Sequence, residues 1–556
     1  MRNSIIFLGI FMLGFLTGCF DDEGNYDYKK VNEPNWKENT IQMTARAGEI
    51  TKFRGSPYFS WSVDSLQRAS EVTYEWKLEN EVLSHEVDFE MPTNELIGRI
   101  GLVKIESKPR SGTFSIIEKN TGVTFVLPIS VTFTPTNASA DWFVLSENGG
   151  NSKLSFIKRV ADAGIWSYEL RENVYAETNG EELVGTPQFM NYASGATHIG
   201  TMGTITVVTS SGMYEINCEN FMKVGNLEEV PCAGNITARY DVKGTDYGLQ
   251  TFVKDADGLL YRRMMSKNNL MGAFGREPMV LDAKGYSISH IGHSSTWFDP
   301  IPCYDALNRR VVTILFTKSG ALKFEEWFPG SGMGSWVEDG EQFQIANLVS
   351  TKSTASMEID GCAEVWNMPE GTKPLYLWYV KEAGHPFMGG NYPVLGMIYN
   401  DVSGKTWWTE FATNANTGQV ENRSDNRLME FPAGNLQEGT LFLTRIGSNY
   451  GAQKQDYVLY NKGNEIRYID RALGYRDQPF ITLEDPNDRV TYMAWGAYES
   501  YGRLFVGTEK GNFIVYSTPY GEPLTVNPKV IKILNVGGKV VSLKELNNDT
   551  QIIDQY

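Results

Sequence analysis

The nine residues Val506-Gly-Thr-Glu-Lys-Gly-Asn-Phe-Ile514 contain the pattern that decides the fold. A run of β-forming residues leads into a polar turn with a glycine, and a second apolar run follows directly. Glycine supplies the positive φ that tight hairpin turns require. The stretch therefore predicts two antiparallel strands joined by a short turn.

The same unit recurs through the second part of the chain. Leu459-Tyr-Asn-Lys-Gly-Asn-Glu-Ile466 and Tyr399-Asn-Asp-Val-Ser-Gly-Lys-Thr-Trp-Trp408 are further copies. The turn glycines fall near positions 149, 212, 258, 320, 404, 463 and 511, at a mean spacing of about 60 residues. Seven such units predict a seven-bladed β-propeller over residues 141–556, made of radially arranged four-stranded sheets.

Two intervals depart from this spacing. The interval from Gly320 to Gly404 is longer than one unit, which predicts an insertion of about 25 residues within Gly361 to Pro393. The Gly537-Gly538 turn follows Gly511 by only 26 residues. We therefore expect the segment Val530 to Leu546 to complete or close the last blade.

Residues 39–137 predict a separate β-sandwich. Val72 to Leu78 alternates, so that Val72, Tyr74, Trp76 and Leu78 share one face, and Val123 to Phe133 is a second run of β-forming residues. A tryptophan on a central strand of a unit of about 100 residues is typical of immunoglobulin-like sandwiches. Because no cysteine pair bridges the sheets, a PKD-like or fibronectin-like module fits best. We expect Trp76 to pack in the core.

The N-terminus has the layout of a bacterial lipoprotein signal. Arg2 precedes the apolar run from Ile5 to Leu16, and Leu16-Thr-Gly-Cys19 closes it. Twelve apolar residues are too short to span a bilayer as a helix. We predict a signal peptide over residues 1–18 and lipidation of Cys19. The alternative is an ordinary secretion signal that contains a cysteine.

The segment 19–38 is polar and predicts a flexible tether. It begins with Phe20 and the acidic residues Asp21, Asp22 and Glu23. Acidic residues after a lipidated cysteine resemble the surface-export signal of lipoproteins in one phylum of Gram-negative gut bacteria. The resemblance implies an outer-membrane protein that faces the cell exterior.

Composition narrows the classes of partner. The formal charge of -17, without long basic runs, makes nucleic acid an unexpected partner. Of the five cysteines, Cys218 and Cys232 are candidates for a disulfide in an oxidising compartment, and buried thiols are the alternative. No pair has the Cys-x-x-Cys spacing of a metal site.

The chain as a whole resembles the PKD-like family of surface lipoproteins. The resemblance rests on the stretch from Asp21 to Tyr28 after the lipidated cysteine, on Tyr74-Glu-Trp76, and on the join Asp141-Trp-Phe-Val-Leu-Ser-Glu147. It implies a place beside SusC/SusD-like outer-membrane importers, which capture oligosaccharides or oligopeptides and pass them to a TonB-dependent channel. It implies no catalytic residues.

The sequence offers little for catalysis or cofactors. His290-Ile-Gly-His293 would point its two imidazoles to opposite faces of a strand. Asp255-Ala-Asp257-Gly258 lacks the glutamate that completes a calcium loop, so a hairpin turn is expected. We expect no cofactor, no metal and no enzyme. A propeller hydrolase or lyase is the rival hypothesis, since paired carboxylates leave no local trace, and a structural adhesin is a third.

The best candidate for ligand or partner contact is the loop His385-Pro-Phe-Met-Gly-Gly-Asn-Tyr-Pro393. His385, Phe387, Asn391 and Tyr392 carry ring, imidazole and amide groups that suit a sugar or a peptide. The alternative is a loop that packs over the propeller's own face. The tryptophans at 297, 366, 378, 407 and 495 are expected between blades.

Overall fold

The computed structural model describes residues 32–545, with gaps at 64, 103–104, 106–107, 136–139, 163–164, 194–203, 227–235, 240–248, 266–276, 293–299, 318–322, 327–333, 338–344, 352–358, 384–391, 447–455, 497–501 and 519–522. These residues form two compact units. The first contains the described residues up to Thr44 together with Lys52–Met91 and Lys108–Thr132. The second contains Ala45–Thr51, Pro92–Ser107 and the described residues from Phe133 onward.

The part of the chain before Pro135 is built mainly of antiparallel strands, as predicted. Its nine strands are β1 (Pro34–Trp36), β2 (Ile41–Arg46), β3 (Ile50–Arg54), β4 (Phe59–Trp61), β5 (Val72–Leu78), β6 (Glu81–Ser84), β7 (Asp88–Pro92), β8 (Arg110–Glu118) and β9 (Thr124–Thr134). A 3₁₀ turn covers Ser56–Tyr58, and two short helices are α1 (Ser65–Glu71) and α2 (Thr93–Arg99). The main sheet has the order β2-β9-β8-β5-β6, and β1-β4 and β3-β7 form two smaller sheets.

The aromatic core of the first unit surrounds Trp76. This side chain is fully buried on β5, and its ring centroid lies 4.5 Å from that of Phe114, 5.4 Å from Phe53 and 6.0 Å from Phe89. The indole Nε1 donates to the carbonyl oxygen of Glu86 at 3.0 Å. Phe53 and Phe89 lie on the small β3-β7 sheet, so the rings hold it against the main sheet. The prediction that Trp76 is a core residue is confirmed.

The second unit contains seven successive antiparallel sheets among the described residues, which we call blades 1 to 7. Blade 1 contains β10 (Ala140–Asn148), β11 (Asn151–Asp162) and β12 (Ile165–Arg171). Blade 2 contains β13 (Pro187–Ala193), β14 (Thr204–Thr209), β15 (Gly212–Asn217) and β16 (Lys223–Asn226). Blade 3 contains β17 (Ile236–Arg239), β18 (Leu249–Lys254) and β19 (Leu260–Met265). A short helix, α3 (Val174–Asn179), follows β12.

The remaining blades follow in chain order. Blade 4 contains β20 (Ile288–Ile291), β21 (Ile301–Asp305), β22 (Arg310–Thr317) and β25 (Ile345–Ser350), and blade 5 contains β26 (Lys373–Ala383), β27 (Tyr392–Asn400), β28 (Thr406–Ala412) and β29 (Arg427–Glu430). Blade 6 contains β30 (Phe442–Ile446), β31 (Asp456–Lys462), β32 (Glu465–Asp470) and β33 (Arg476–Thr482). Blade 7 contains β34 (Val490–Trp495), β35 (Arg503–Thr508), β36 (Asn512–Ser517) and β37 (Val530–Asn535). A two-stranded hairpin of β23 (Lys323–Glu326) and β24 (Gly334–Val337) lies between β22 and β25.

The C-terminal strand closes the ring of blades. β38 (Lys539–Glu545) pairs with β10 and is the innermost strand of blade 1, while β37 completes blade 7. The inner strands contact one another from blade to blade, in the runs β38-β13-β17 and β20-β26-β30-β34-β38. This arrangement is that of a β-propeller whose first sheet is completed by the end of the chain. The predicted fold, an all-β chain with an N-terminal sandwich and a seven-bladed propeller, is confirmed.

Six of the seven predicted hairpins lie within the described residues. They join β10 to β11, β14 to β15, β18 to β19, β27 to β28, β31 to β32 and β35 to β36. The turn glycines have positive φ, for example 81° at Gly404 and 65° at Gly463. Each hairpin connects the second and third strands counted from the inner edge of its blade. The seventh predicted turn, at Gly320, lies outside the described residues.

Blade 4 shows why the predicted insertion was wrong. Its equivalent hairpin joins β21 to β22 without a glycine, and Arg309 adopts the positive φ of 52° instead. Gly320 follows β22 and is therefore not equivalent to the other turn glycines. The additional chain includes the β23-β24 hairpin, whereas the stretch Gly361 to Pro393 contains β26, the inner strand of blade 5.

Large aromatic side chains fill the space between blades. Trp378 is buried in a cluster that joins blade 5 to Val458 and Tyr460 of blade 6, and Trp495 is buried with residues of blades 6 and 7. Trp366 and Trp407 are half-buried beside the cluster that joins blades 4 and 5. These positions confirm the prediction for four of the five tryptophans, and Trp297 lies outside the described residues. No helix in the described part of the chain is long and apolar enough to cross a membrane.

Candidate functional site

The predicted contact loop is described at one residue only. His385, Phe387 and Asn391 lie outside the described residues. Tyr392 begins β27, and its hydroxyl donates to Asp425 Oδ2 at 3.0 Å, which raises the pKa of the phenol. The guanidinium of Arg423 lies 4.6 Å from its ring centroid. Protein groups therefore engage both the hydroxyl and one ring face, and the contact role of the loop stays a prediction.

The cysteine predictions also stay open. Cys19 precedes the described residues, and Cys232 lies in one of the gaps. Cys218 is buried in the core that joins blades 1 and 2. The lipidation of Cys19 and the Cys218–Cys232 disulfide therefore remain expectations from the sequence.

One cavity among the described residues lies in the propeller, on the face where the β21-β22 hairpin turns. It has a volume of about 680 Å³. Four separate segments form its walls: the middle of β20, the β21-β22 hairpin, the entry to β26, and the turn before β30. The lining residues are Ser289, His290, Tyr304, Ala306, Arg309, Glu370, Gly371, Thr372, Lys373, Pro374, Leu375, Glu438 and Gly439.

Tyr392 and this cavity lie at opposite ends of β26. The strand begins at Lys373, which lines the cavity, and ends at Ala383, which pairs with Tyr392. Eleven residues of β-strand extend about 35 Å. Tyr392 is therefore distant from the cavity.

Two hydroxyl groups of the cavity lining have no hydrogen-bond partner among the described residues. They are Tyr304 Oη and Thr372 Oγ1, and both atoms are buried. Tyr304 is only 2% exposed on β21, and burial raises the pKa of its phenol to about 12. The phenol is therefore protonated at neutral pH. A buried polar atom without a partner is uncommon and costs about 1–3 kcal/mol, unless solvent or a ligand bonds to it.

His290 adds a neutral group to the same wall. It lies opposite Tyr304 in the β20-β21 pair, and its Nδ1 is 3.0 Å from Ser289 Oγ. Burial, followed by the charge of Lys254, lowers the pKa of the imidazole below 6.5, and Glu438 opposes the shift. The imidazole is therefore uncharged at pH 7 and can both donate and accept a hydrogen bond.

Charged side chains of both signs complete the lining. Arg309 and Lys373 are cationic, and Glu370 and Glu438 are anionic. Lys373 Nζ forms an ion pair with Glu438 Oε1, and both side chains are more than 60% exposed. The charges at the cavity therefore balance.

A buried ion cluster fixes the hairpin that carries Tyr304 and Arg309. Asp305 Oδ2 accepts from Arg310 Nε at 2.8 Å, and its Oδ1 accepts from the Ser287 backbone N–H at 3.0 Å. Arg310 Nη1 also donates to Asp282 Oδ2 at 2.7 Å. Burial opposes the charge of Arg310, but the two carboxylates outweigh it and raise the pKa of the guanidinium. This cluster holds one wall of the cavity in a defined position.

A second buried polar cluster lies between blades 5 and 6. Glu410 accepts hydrogen bonds from Arg471 at 2.8 and 3.0 Å, from Trp408 Nε1 at 2.9 Å and from the Tyr475 hydroxyl at 3.1 Å. Arg471 also pairs with Asp456. Burial disfavours its charge, yet the carboxylates raise the pKa of Arg471. Its ionised groups are paired within the protein, so the cluster is structural.

The stretch Asp255-Ala-Asp257-Gly258 forms the hairpin turn that the sequence predicts. Asp255 Oδ1 accepts from the backbone N–H groups of Asp257 and Leu259 at 3.0 and 2.8 Å, and Gly258 has a φ of 80°. This is a hairpin turn. In the described part of the chain, no group of three or more His, Cys, Asp or Glu residues could hold a metal ion.

Comparison with known proteins identifies the N-terminal region. Residues 19–187 match the PKD-like family. The match covers less than a third of the chain, and no curated protein matches the sequence.

Solved structures resemble the chain only distantly. A quinonprotein alcohol dehydrogenase-like protein from Bacteroides thetaiotaomicron is 10% identical, with a TM-score of 0.32, 92% of this chain and 96% of that chain covered. An apocarotenoid oxygenase mutant from Synechocystis is also 10% identical, with a TM-score of 0.38 and coverages of 74% and 94%. Likeness at this level assigns no activity.

The cavity escaped sequence analysis because its lining comes from segments around residues 289–290, 304–309, 370–375 and 438–439. No motif connects them. Arg309 is unusual because it is a non-glycine residue with a positive φ at a turn. This gave no indication of the cavity, because φ is not visible in the sequence.

Proposed function

We propose that the protein is a surface-exposed outer-membrane lipoprotein that serves as an accessory subunit of a SusC/SusD-like, TonB-dependent importer of oligosaccharides or oligopeptides. In this proposal it is not an enzyme, and it captures or docks the cargo. Cys19 anchors it, and the segment between Cys19 and β1 tethers it within reach of the transporter. The predicted tether over 19–38 is thereby shortened, because Pro34–Trp36 pairs with β4. The PKD-like match of residues 19–187 supports the family on which the proposal is based.

The cavity beside β20 and β26 is the observation that carries the capture role. It combines a volume typical of ligand sites with charged side chains of both signs on its walls. A purely structural adhesin has no need of such a site.

Purification from the native outer membrane in mild detergent tests the proposal. We expect the protein to co-purify with a SusC/SusD-like pair. The Cys19→Ala variant should be lost from the outer membrane, because the lipid anchor is then absent. An unchanged surface display of Cys19→Ala, or isolation without any transporter, contradicts the proposal.

A hydrolase or lyase is the second candidate. Glu370 and Glu438 both line the cavity, and paired carboxylates perform glycoside hydrolysis. Incubation with an oligosaccharide mixture separates the candidates. Turnover that is lost in Glu370→Gln or Glu438→Gln establishes the enzyme, and the absence of turnover by a protein that binds the mixture supports capture.

A further inference from the structure

The charged side chains of the cavity divide into a paired set and an unpaired set. Lys373 and Glu438 form an ion pair with each other. Arg309 and Glu370 line the same cavity, and neither forms an ion pair or a side-chain hydrogen bond with another described residue. Both residues are exposed, so a ligand in the cavity can reach their charged groups.

The backbone places Arg309 at the wall of the cavity. Its φ of 52° lies in the left-handed region, at the turn of the β21-β22 hairpin. Burial raises the pKa of the Tyr304 phenol, and the charge of Arg309 opposes this shift, so the guanidinium lies close to that wall. The carbonyl oxygen of Arg309 accepts from the Met368 backbone N–H at 2.7 Å. This bond ties the hairpin to the segment that leads into β26.

Glu370 lies in a tight turn of that same segment, two residues after Met368. The Thr372 backbone N–H donates to the Pro369 carbonyl oxygen at 3.3 Å, and Gly371 has a φ of 83°, as the third residue of a type II turn requires. A Cβ at Gly371 would lie 3.2 Å from Val402 Cγ2 in the next hairpin. The two unpaired charges are therefore carried by neighbouring segments, each held by backbone contacts.

These charges favour a ligand that carries both signs. The guanidinium of Arg309 can donate two parallel hydrogen bonds to a carboxylate, and the carboxylate of Glu370 can accept from an ammonium group. A polyanionic ligand would meet Glu370 and the net negative charge of the chain, and a polycationic ligand would meet Arg309. A zwitterion avoids both conflicts.

We propose that this cavity binds a short peptide with free termini, with its carboxylate at Arg309 and its ammonium group at Glu370. Capture of peptide termini by protein groups is a known mode of peptide recognition. The volume of about 680 Å³ lies within the range of about 300–1,000 Å³ for small-molecule sites, and Ala306 and Leu375 supply apolar contact for side chains. The inference rests on the proposed capture function and names its cargo.

A neutral oligosaccharide is the competing ligand. It can form hydrogen bonds with Arg309 and Glu370, but it neutralises neither charge. Sugar sites commonly present an aromatic face to the sugar ring. Tyr304, the one phenol or phenyl ring among the described lining residues, is only 2% exposed. This difference favours the peptide.

The test is calorimetric titration of the full-length protein in detergent. The ligands are di-, tri- and tetrapeptides with uncharged side chains, the same peptides with an acetylated N-terminus or an amidated C-terminus, and neutral oligosaccharides. We expect the peptides with free termini to bind most tightly. Acetylation and amidation should each weaken the affinity by ~5–30-fold, because each removes one charge-assisted hydrogen bond in a partly solvated site.

Two variants assign each terminus to its side chain. Glu370→Gln should weaken the binding of the free peptide by ~5–30-fold and should then make acetylation nearly without effect. Arg309→Gln should do the same for amidation. Each variant should keep its sensitivity to the other modification. The measurements on the unmodified protein remain informative where a variant is unstable in thermal unfolding.

Glu364→Gln is the matched control. Glu364 lies in the same segment before β26 and is exposed, but it does not line the cavity. The substitution makes the same change of charge as Glu370→Gln. Its affinity for the free peptide, and its sensitivity to acetylation, should equal those of the unmodified protein.

Several results would overturn the inference. These are tighter binding of neutral oligosaccharides than of any peptide, equal binding of free and blocked peptides, and equal affinities for the two cavity variants and the unmodified protein. Co-purification with a transporter does not depend on these two charges. A protein that co-purifies but binds no free peptide therefore contradicts the ligand class and leaves the accessory role intact.

Discussion

Two buried polar regions of the propeller differ in what completes their hydrogen bonds. Between blades 5 and 6, Glu410 and Arg471 find their charged partners within the protein. Beside β20 and β26, the Tyr304 and Thr372 hydroxyls find none among the described residues. Both regions bury polar groups, so burial alone does not mark a site. The two regions differ in whether the fold supplies the partners.

The first prediction tests the cluster between blades 5 and 6 by removing the charged partner of Glu410. Arg471→Met leaves Glu410 as a buried carboxylate without its counter-charge. We expect a loss of about 3–5 kcal/mol in the free energy of unfolding. Chemical denaturation of the variant measures it. A loss below about 1 kcal/mol would show that the cluster does not hold the blades together.

The second prediction is a substitution at the cavity that should not destabilise the protein. Tyr304→Phe removes a buried hydroxyl that has no protein partner, and the aromatic ring remains. In the absence of ligand we expect no loss of stability, and a gain of up to about 1 kcal/mol. Denaturation in sugar-free buffer measures the change. A clear destabilisation would mean that the fold itself depends on this hydroxyl.

The third prediction concerns pH at the same cavity. The folded protein holds His290 neutral to a lower pH than the unfolded chain does, because its pKa is lowered by burial and by Lys254. The unfolded state therefore binds more protons as the pH falls below about 6.5, and the folded state loses stability in that window.

The variant His290→Gln should lack this loss. The thermal midpoint of the unmodified protein minus that of the variant should be constant from pH 8 to pH 7 and should then decrease towards pH 5. Other titrating groups affect both proteins equally. A difference that does not change with pH would contradict the lowered pKa.

The smallest effect is expected at the rim. Lys373 and Glu438 form an ion pair in which both side chains are more than 60% exposed. Lys373→Met should change the free energy of unfolding by about 0–1 kcal/mol, because solvent screens the pair. The same denaturation experiment tests it and serves as the exposed control for Arg471→Met. A loss equal to that of Arg471→Met would remove the distinction between buried and exposed pairs.

Local patterns predicted most of the fold. The turn glycines at 404 and 463 revealed hairpins because a positive φ leaves a mark in the sequence, and the alternation around Trp76 revealed a strand of the sandwich. The β21-β22 hairpin was missed because its turn uses Arg309 in place of glycine. The insertion was misplaced for the same reason, since the spacing was counted from Gly320.

The candidate site was not predictable in the same way. Tyr304 lies in a strand in which every residue is buried, and such a tyrosine has the appearance of a core residue. The other walls of the cavity come from residues about 70 and 130 positions further along the chain. A cavity with such walls becomes visible only after the blades are assembled.

A crystal structure with a bound oligosaccharide or oligopeptide tests the central claim most directly. The account predicts density for this cargo in the cavity beside β20 and β26, in contact with lining side chains such as Arg309 and Glu370. Cargo bound elsewhere, for instance beside Tyr392 at the opposite end of β26, with the cavity unchanged, would contradict it.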